Sequence, residues 1–250
     1  MTEQAQPTGD AAHPYDLFAP YYDAIYSQRG KDYEHEAAEV AALILARCPH
    51  ARRLLDVGCG TGAHLEHLSK TFDSSGVDPS PAMLSVARLR LPQIRLLSGD
   101  ASSLDLGGDY DAIICLFSSI AYTQTVARLT DSLTNLAAHL RPGGVLIVDG
   151  WIARNEWDSG FVAVDTSPID GPGQVVRVYH SGEENGCSVL SWHFVVATPE
   201  GIRWFEERHL LGLFEQNDYI NPLRKIGLPV EVLEGAAEGR DRFVAVRPIG

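Results

Sequence analysis

The chain has 250 residues, 45% of them hydrophobic, which suits one large domain or one domain carrying an insertion. Its formal net charge of −13 repels phosphate backbones and anionic lipid, so neither nucleic acid nor a membrane is expected as its main partner. A small anionic ligand stays compatible, because a few local arginines suffice to hold one phosphate group. The opening "MTEQAQPTGDAAHP" has no basic start and no apolar block, so a cytoplasmic protein without a signal peptide is expected, with residues 1–14 as a mobile tail. No apolar run approaches the length of a membrane span.

From Asp32 to Arg47, "DYEHEAAEVAALILAR" places apolar residues three and four apart and predicts a helix. "RLLDVG" reads as a strand, "GAHLEHLSKTF" as a helix and "SSGVDPS" as a strand end. "SPAMLSVARLRL" predicts a helix with Ser80 as N-cap and Pro81 in its first turn. "IRLLSGD" and "YDAIICLFSS" read as strands, "VARLTDSLTNLAAHL" as a helix closed by "RPGG", and "VLIVDG" as a fifth strand. Strands alternating with helices predict βαβ units and a parallel sheet covered on both faces. After Gly150 the period changes to two. "QVVRVYHS", "CSVLSWHFVVAT" and "GIRWFEERHLLGLF", separated by "GEENG" and "TPEG", predict an antiparallel insertion. "NDYINPLRKIGL" returns to helix, and "VEVLE" with "RFVAVR" completes the sheet. Cys48, Cys59, Cys115 and Cys187 form no CxxC pair and read as reduced thiols.

The sharpest feature is "LLDVGCGTG", with Gly58, Gly60 and Gly62 at alternate positions behind Asp56. In an open α/β sheet, ligands bind at the carboxyl ends of strands, and a glycine turn there lets a ligand approach the backbone. Asp78, ending the next strand, is placed to accept hydrogen bonds from a ribose diol. The spacing is GxGxG, not the GxGxxG of dinucleotide sites, which disfavours an NAD-dependent oxidoreductase. An acid beside the loop suits a cationic ligand better than a pyrophosphate.

These segments resemble the class I S-adenosylmethionine-dependent methyltransferases. "DVGCGTG" is similar to their first motif, "GVDPS" (Asp78, Pro79) to their second-strand acid, and "SGDASSLDL" to the segment that contacts adenine. The resemblance implies S-adenosyl-L-methionine as cofactor, Asp100 and Ala101 at the adenine, and Leu116 at the methionine end. It also implies a Rossmann-like α/β fold with a mostly parallel seven-stranded sheet. Further pieces, above all "GKDY" and "FSSIAY", resemble a narrower group, the N,N-dimethyltransferases that finish nucleotide-linked amino sugars. That resemblance implies a dTDP-linked deoxyamino sugar as substrate, an N-methylation in natural-product biosynthesis, and closure of Tyr22 and Lys31 over the cofactor; it is compatible with a homodimer. Where those relatives carry EPWW and GRG, this chain has Asp149–Gly150–Trp151–Ile152 and Gly239–Arg240–Asp241.

The expected organisation is a cofactor-binding α/β part over 15–152, the antiparallel insertion lining the acceptor site over 153–212, and the rest of the α/β part over 213–250. Methyl transfer from a sulfonium needs the amine held about 3 Å from the methyl, in line with the departing sulfur, so positioning supplies most of the rate. Tyr122, His180 and His193 are the candidate proton acceptors. Their alternative roles are an aromatic wall for Tyr122 and structural or outward-facing positions for the histidines. Trp151 is a candidate for stacking on sugar or base; Arg240, and more weakly Arg177, for pairing with a pyrophosphate. No residues show metal-ligand spacing, so no metal site is expected. Two other readings stand beside this one: methyl transfer to another small amine, alcohol or carboxylate, and a non-catalytic methyltransferase-like binding subunit.

Overall fold

A computed structural model describes residues 14–249; of the expected tail, residues 1–13 lie outside this range. The first half alternates strand and helix. β1 (Arg53–Val57), β2 (Asp73–Asp78), β3 (Arg95–Ser98), β4 (Tyr110–Cys115) and β5 (Leu140–Asp149) run parallel to one another. β11 (Arg240–Val246) runs antiparallel to β5, and β10 (Val230–Ala237) antiparallel to β11. The seven strands lie in the order β10-β11-β5-β4-β1-β2-β3. All six residues of β4 are buried, Ala112–Cys115 as the apolar run that the centre of a sheet covered on both faces demands, and Asp111 because it accepts from the Arg52 and Arg53 N–H groups.

Helices α2 (Tyr33–Arg47), α3 (Ala63–Leu68) and α4 (Pro81–Arg90) cover one face through Val40, Ile44, Leu65, Leu68 and Leu84. Helices α5 (Val126–Ala138) and α6 (Gln216–Lys225) cover the other through Leu129, Leu133, Leu136, Ile220 and Leu223. Ser80 caps α4 by accepting from the Met83 N–H at 3.2 Å, with Pro81 at the first position, as its sequence predicts. "RPGG" does not close α5. It is absorbed into β5, which begins at Leu140 and shifts register against β4 between Tyr110 and Ala112, with Gly143 at a φ of +80°.

The insertion is a second sheet of four antiparallel strands: β6 (Val162–Ile169), β7 (Gly173–Glu184), β8 (Cys187–Thr198) and β9 (Gly201–Gly212). The period-two signal predicts three of them. β6 escapes it because it contains Pro168, which is tolerated only because β6 is the edge strand and its free N–H side is not needed in the ladder. One face of this sheet packs on the N-terminal segment. Phe18 and Ile25, the latter in helix α1 (Tyr22–Gln28), meet Val175, Trp192, Phe194, Val196 and Phe205 in a third core. The segment before β1 thereby spans both sheets and roofs the space between them.

Candidate active site

The turn after β1 explains its own glycines in two different ways. Gly58, Gly60 and Gly62 have φ of +76°, +54° and +76°. A Cβ on Gly58 would lie 2.5 Å from the Ser119 Cβ, and one on Gly62 would lie 2.8 Å from Leu91 Cδ1. Those two positions are bare because the protein's own side chains press on them. Only Gly60 faces open space, with nothing within 4 Å. Asp78 fixes the turn, its carboxylate accepting from the Gly60 N–H and the Ser80 N–H, both at 2.8 Å.

A cleft of about 60 Å³ lies beside this turn, lined by Tyr15, Tyr22, Asp56, Asp78, Leu116 and Phe117 among others. That is room for about two waters, less than a nucleoside occupies. The residues do fit a cationic one. Asp56 is 2% exposed, and burial, with Asp78 and Asp149 nearby, pushes its carboxyl up to about 8; no basic side chain among the described residues pairs with it. Burial also raises Asp78, against the two N–H bonds that lower it. Of the sequence-predicted cofactor residues, Asp56, Gly58, Gly60, Asp78, Tyr22 and Leu116 meet at this cleft. Gly62 caps α3 beneath it. Pro79 is exposed outside it. Asp100 and Ala101 follow β3, where Asp100 accepts from the Ser102 N–H at 2.9 Å and the Ala101 carbonyl accepts from Asn135 at 3.0 Å. Lys31 does not line this cleft. Its Nζ sits 2.7 Å from Glu36 and 2.8 Å from Glu238, over the Phe117 ring at 3.8 Å, on the wall of a second cavity.

That second cavity, about 1200 Å³, lies between the insertion and the carboxyl edge of the main sheet. Tyr15 and Phe117 line both spaces, so they mark the junction. Phe117 and Ser118 have successive left-handed φ of +52° and +63°, a strained corner after β4. It is held by Asp149, which accepts from the Phe117 N–H at 3.0 Å, and by Ser118 Oγ donating to the Gly150 carbonyl at 2.5 Å. Arg242 locks Asp149 in turn at 2.6 Å. Trp151 lines the cavity, its Nε1–H donating to Ser188 Oγ at 2.8 Å, with Trp157 at 6.0 Å between ring centroids. Arg240 lines it too, its Nε donating to the Ala237 carbonyl and Nη2 to Glu238, and its guanidinium 4.9 Å from the Phe117 ring. Arg177 touches the same cavity but is almost wholly buried, bound to Asp165 at 2.5 Å and 4.7 Å from the Trp192 ring.

Tyr122 reaches the cavity, but His180 and His193 do not, which corrects the expectation for both. Successive strand side chains face opposite sides. Tyr179 and Ser181 point inward, so His180 points out; Trp192 and Phe194 point inward, so His193 is outside, paired with Glu206 at 3.1 Å. The buried histidine of the insertion is His209. Its Nδ1 is 2.8 Å from Tyr122 Oη, and its Nε2 is 3.1 Å from Glu207 Oε2. The signal for it lay in β9: Phe205 and Leu211 set the inward face, and Glu207 and His209 share their parity.

The sheet order, the glycine turn with its two acids, and the adjoining cleft and cavity define an S-adenosylmethionine-dependent methyltransferase. A profile of the methyltransferase domain matches residues 54–144. The chain is 43% identical to the dTDP-3-amino-3,4,6-trideoxy-alpha-D-glucopyranose N,N-dimethyltransferase of Streptomyces venezuelae, over 91% of this chain and 97% of that one. It is 40% identical to the dTDP-4-amino-2,3,4,6-tetradeoxy-D-glucose N,N-dimethyltransferase of Saccharopolyspora spinosa, over 92% of each. Among solved structures it is similar to CalS10 with bound S-adenosylmethionine, an amino pentose methyltransferase of Micromonospora echinaspora involved in calicheamicin biosynthesis. The TM-score is 0.81, with 40% identity over 90% of this chain and 96% of that one. The chain belongs to the family of dTDP-amino-sugar N,N-dimethyltransferases.

Proposed function

We propose that this enzyme methylates, twice, the amine of a dTDP-linked deoxyamino sugar in natural-product biosynthesis. The observation that carries this reading is the pair of adjoining spaces that meet at Tyr15 and Phe117. One is bounded by a glycine turn and a buried acid; the other is large, aromatic and edged by arginines. S-adenosyl-L-methionine supplies an activated methyl on a sulfonium. The protein supplies position. Asp56 offers negative charge to a cationic donor, and the carboxylate of Asp78, at the end of β2, lies where a ribose diol would come. Asp100 and Ala101, just past β3 and outside the lining of the cleft, are the proposed adenine contacts, and Tyr22 and Phe117 line the cleft against water. In the cavity, the Trp151 face takes the sugar or base, and Arg240 takes the diphosphate once it exchanges Glu238 for the ligand. Arg177 is spent on Asp165 and holds the wall instead. Relatives act on 3-amino and on 4-amino sugars, and both amines are candidates here.

A second copy of the chain is the proposed partner, on the outward face of the insertion, where Val162, Val164, Val178 and Val195 are exposed. No helix among the described residues is long and apolar enough to cross a membrane, and we place the enzyme in the cytoplasm. The net charge speaks against nucleic acid. The deciding experiment incubates the protein and S-adenosylmethionine with dTDP-3-amino and dTDP-4-amino deoxysugars and reads the products by mass spectrometry. Successive additions of one and two methyl groups to one of them are expected. Methylation of other small amines, alcohols or carboxylates but no nucleotide sugar overturns the reading.

A further inference from the structure

At the junction of the two spaces the structure holds a buried chain of hydrogen bonds that positioning alone does not require. Tyr15 lines both spaces. Its hydroxyl oxygen lies 2.6 Å from that of Tyr122, which lies 2.8 Å from His209 Nδ1, and His209 Nε2 lies 3.1 Å from Glu207 Oε2. His209 is fully buried and the Glu207 side chain is 1% exposed. Tyr15 has a φ of +72°, a strained backbone for a bulky residue. The strain is held by Glu207 itself, whose Oε2 accepts from the Tyr15 N–H and whose Oε1 accepts from the Leu17 and Phe18 N–H groups, at 2.9–3.0 Å.

This arrangement fixes the direction of every bond in the chain. Glu207 meets only donors, so His209 donates to it from Nε2 and leaves Nδ1 as an acceptor. Tyr122 therefore donates to Nδ1, and its oxygen accepts from Tyr15. The Tyr15 oxygen keeps its lone pairs for whatever stands at the junction. Three groups in a row thus donate toward a buried carboxylate.

The geometry points to a proton relay that strips the amine before each methyl addition, a reading that rests on the acceptor amine lying at the Tyr15–Phe117 junction. The N–H bond of the substrate ammonium breaks toward Tyr15 Oη. The Tyr15 proton passes to Tyr122 Oη, and the Tyr122 proton to His209 Nδ1. The result is a neutral amine, two neutral phenols and an imidazolium held against the Glu207 carboxylate. Burial holds both phenols far above their usual range, so neither rests as a phenolate and each is again a neutral phenol once the proton has moved on. Burial lowers His209, against the hydrogen bond it donates to Glu207, so the ring rests neutral and able to accept. Because His209 has no solvent contact, its proton returns by the same path when the cavity empties.

The groups facing the relay are few. Trp192 of β8 stacks on His209 at 3.9 Å and does not titrate. Arg177 of β7, paired with Asp165 of β6, disfavours the imidazolium, and Glu207 favours it. Tyr22 and Tyr26 of α1 and Asp78 of β2 face the two phenols. His209 acts through Tyr122 and Tyr15 and is a positioning residue in this scheme.

The test is single-turnover methylation of dTDP-3-amino-3,4,6-trideoxy-α-D-glucopyranose by wild type, H209N and Y122F between pH 6 and 9.5. Loss of the relay leaves only amine already deprotonated in solution, so both variants should lose about tenfold or more at pH 6.5 and approach wild type at pH 9.5. A uniform loss at every pH, or superimposed profiles, overturns the relay. If H209N does not fold, Y122F carries the same test. Independently of any substrate, ¹⁵N-histidine NMR of the wild-type protein at pH 7 should show His209 as the neutral Nε2–H tautomer, and the Nδ1–H tautomer overturns the relay. A wild type inactive on every amino sugar counts against the substrate reading instead, and the tautomer still decides the relay.

Discussion

Asp56 is a buried carboxylate facing a cleft with no cation of its own, and its pKa of about 8 is the consequence. A positively charged donor bound there favours the ionised form. Donor binding at pH 7 should therefore release a fraction of a proton, fading above about pH 9, and affinity should rise with pH toward 8. Titration calorimetry in two buffers of different ionisation heat measures this directly; zero release at pH 7 contradicts it. The same shift bears on folding. A carboxyl raised from 3.8 to about 8 binds its proton more tightly folded than unfolded, so its favourable contribution is full on the acid side and is lost as pH rises between those values. D56N should consequently gain thermal stability at pH 8 while losing donor affinity. The neighbouring glycines separate cleanly. Gly58→Ala pushes a methyl into Ser119 and adds left-handed strain, together about 2–5 kcal/mol. Gly60→Ala meets open space and pays only the strain, about 1–2 kcal/mol. Thermal melts of the two variants should differ accordingly.

Between elements, the most consequential single contact is Lys31. It joins the start of α2, through Glu36, to the turn between β10 and β11, through Glu238, and it covers Phe117. Burial works against the charge on Glu36, but hydrogen bonds from His64 and Lys31 outweigh it and hold the carboxyl down at about 2. Its contribution to stability is present above pH 4.5 and is lost as pH falls toward 2. K31M should therefore flatten the acid limb of the stability curve. It should also raise hydrogen exchange at Glu234–Arg240, because the turn loses its anchor to α2; unchanged exchange there would show the turn to be held from within, by Asp241 accepting from the Gly235 N–H and by Arg240 on the Ala237 carbonyl and Glu238. The alternation of strand and helix, the cap of α4 and the glycine turn were legible in the sequence because each is a local pattern. β6 was not, because its polar run Asp165–Ser167 and Pro168 hide an edge strand whose partner lies across a turn. His180 and His193 have the chemistry of a proton acceptor but the wrong strand parity, and Trp192 and Phe194 flanking His193 already assign it to the outer face. His209 had the right parity, but polar residues at inward positions run against the rule of apolar inward faces, and only the fold brings Tyr15 and Tyr122 to it. Gly150 and Asp241 are likewise invisible as a pair in sequence. The Gly150 N–H donates to the Asp241 carbonyl at 2.8 Å.

At the scale of the whole molecule, the charge of −13 acts on both substrates at once and with opposite sign. The methyl donor carries one net positive charge near neutral pH, and a nucleotide sugar with a protonated amine carries one net negative charge. The field of the protein attracts the first and repels the second. Local pairing softens the contrast only in part, because the basic groups on the cavity wall are already matched: Arg29 and Arg177 with Asp165, Lys31 with Glu36 and Glu238, and Arg240 with Glu238. Glu156, Asp158, Glu215, Glu234 and Asp241 add further acids to the same wall. Salt shortens the reach of this field from about 30 Å at 0.01 M to about 8 Å at 0.15 M. Raising salt across that range should weaken donor binding and should strengthen, or at least not weaken, binding of the sugar nucleotide. Fluorescence titrations of each ligand at three salt concentrations give the two slopes. If both affinities fall together, the diphosphate is held by a local pair strong enough to override the field, and R240A should then abolish the salt dependence of the nucleotide alone. If the slopes diverge, E238Q should tighten the nucleotide by removing the competitor for Arg240, without changing the donor's slope.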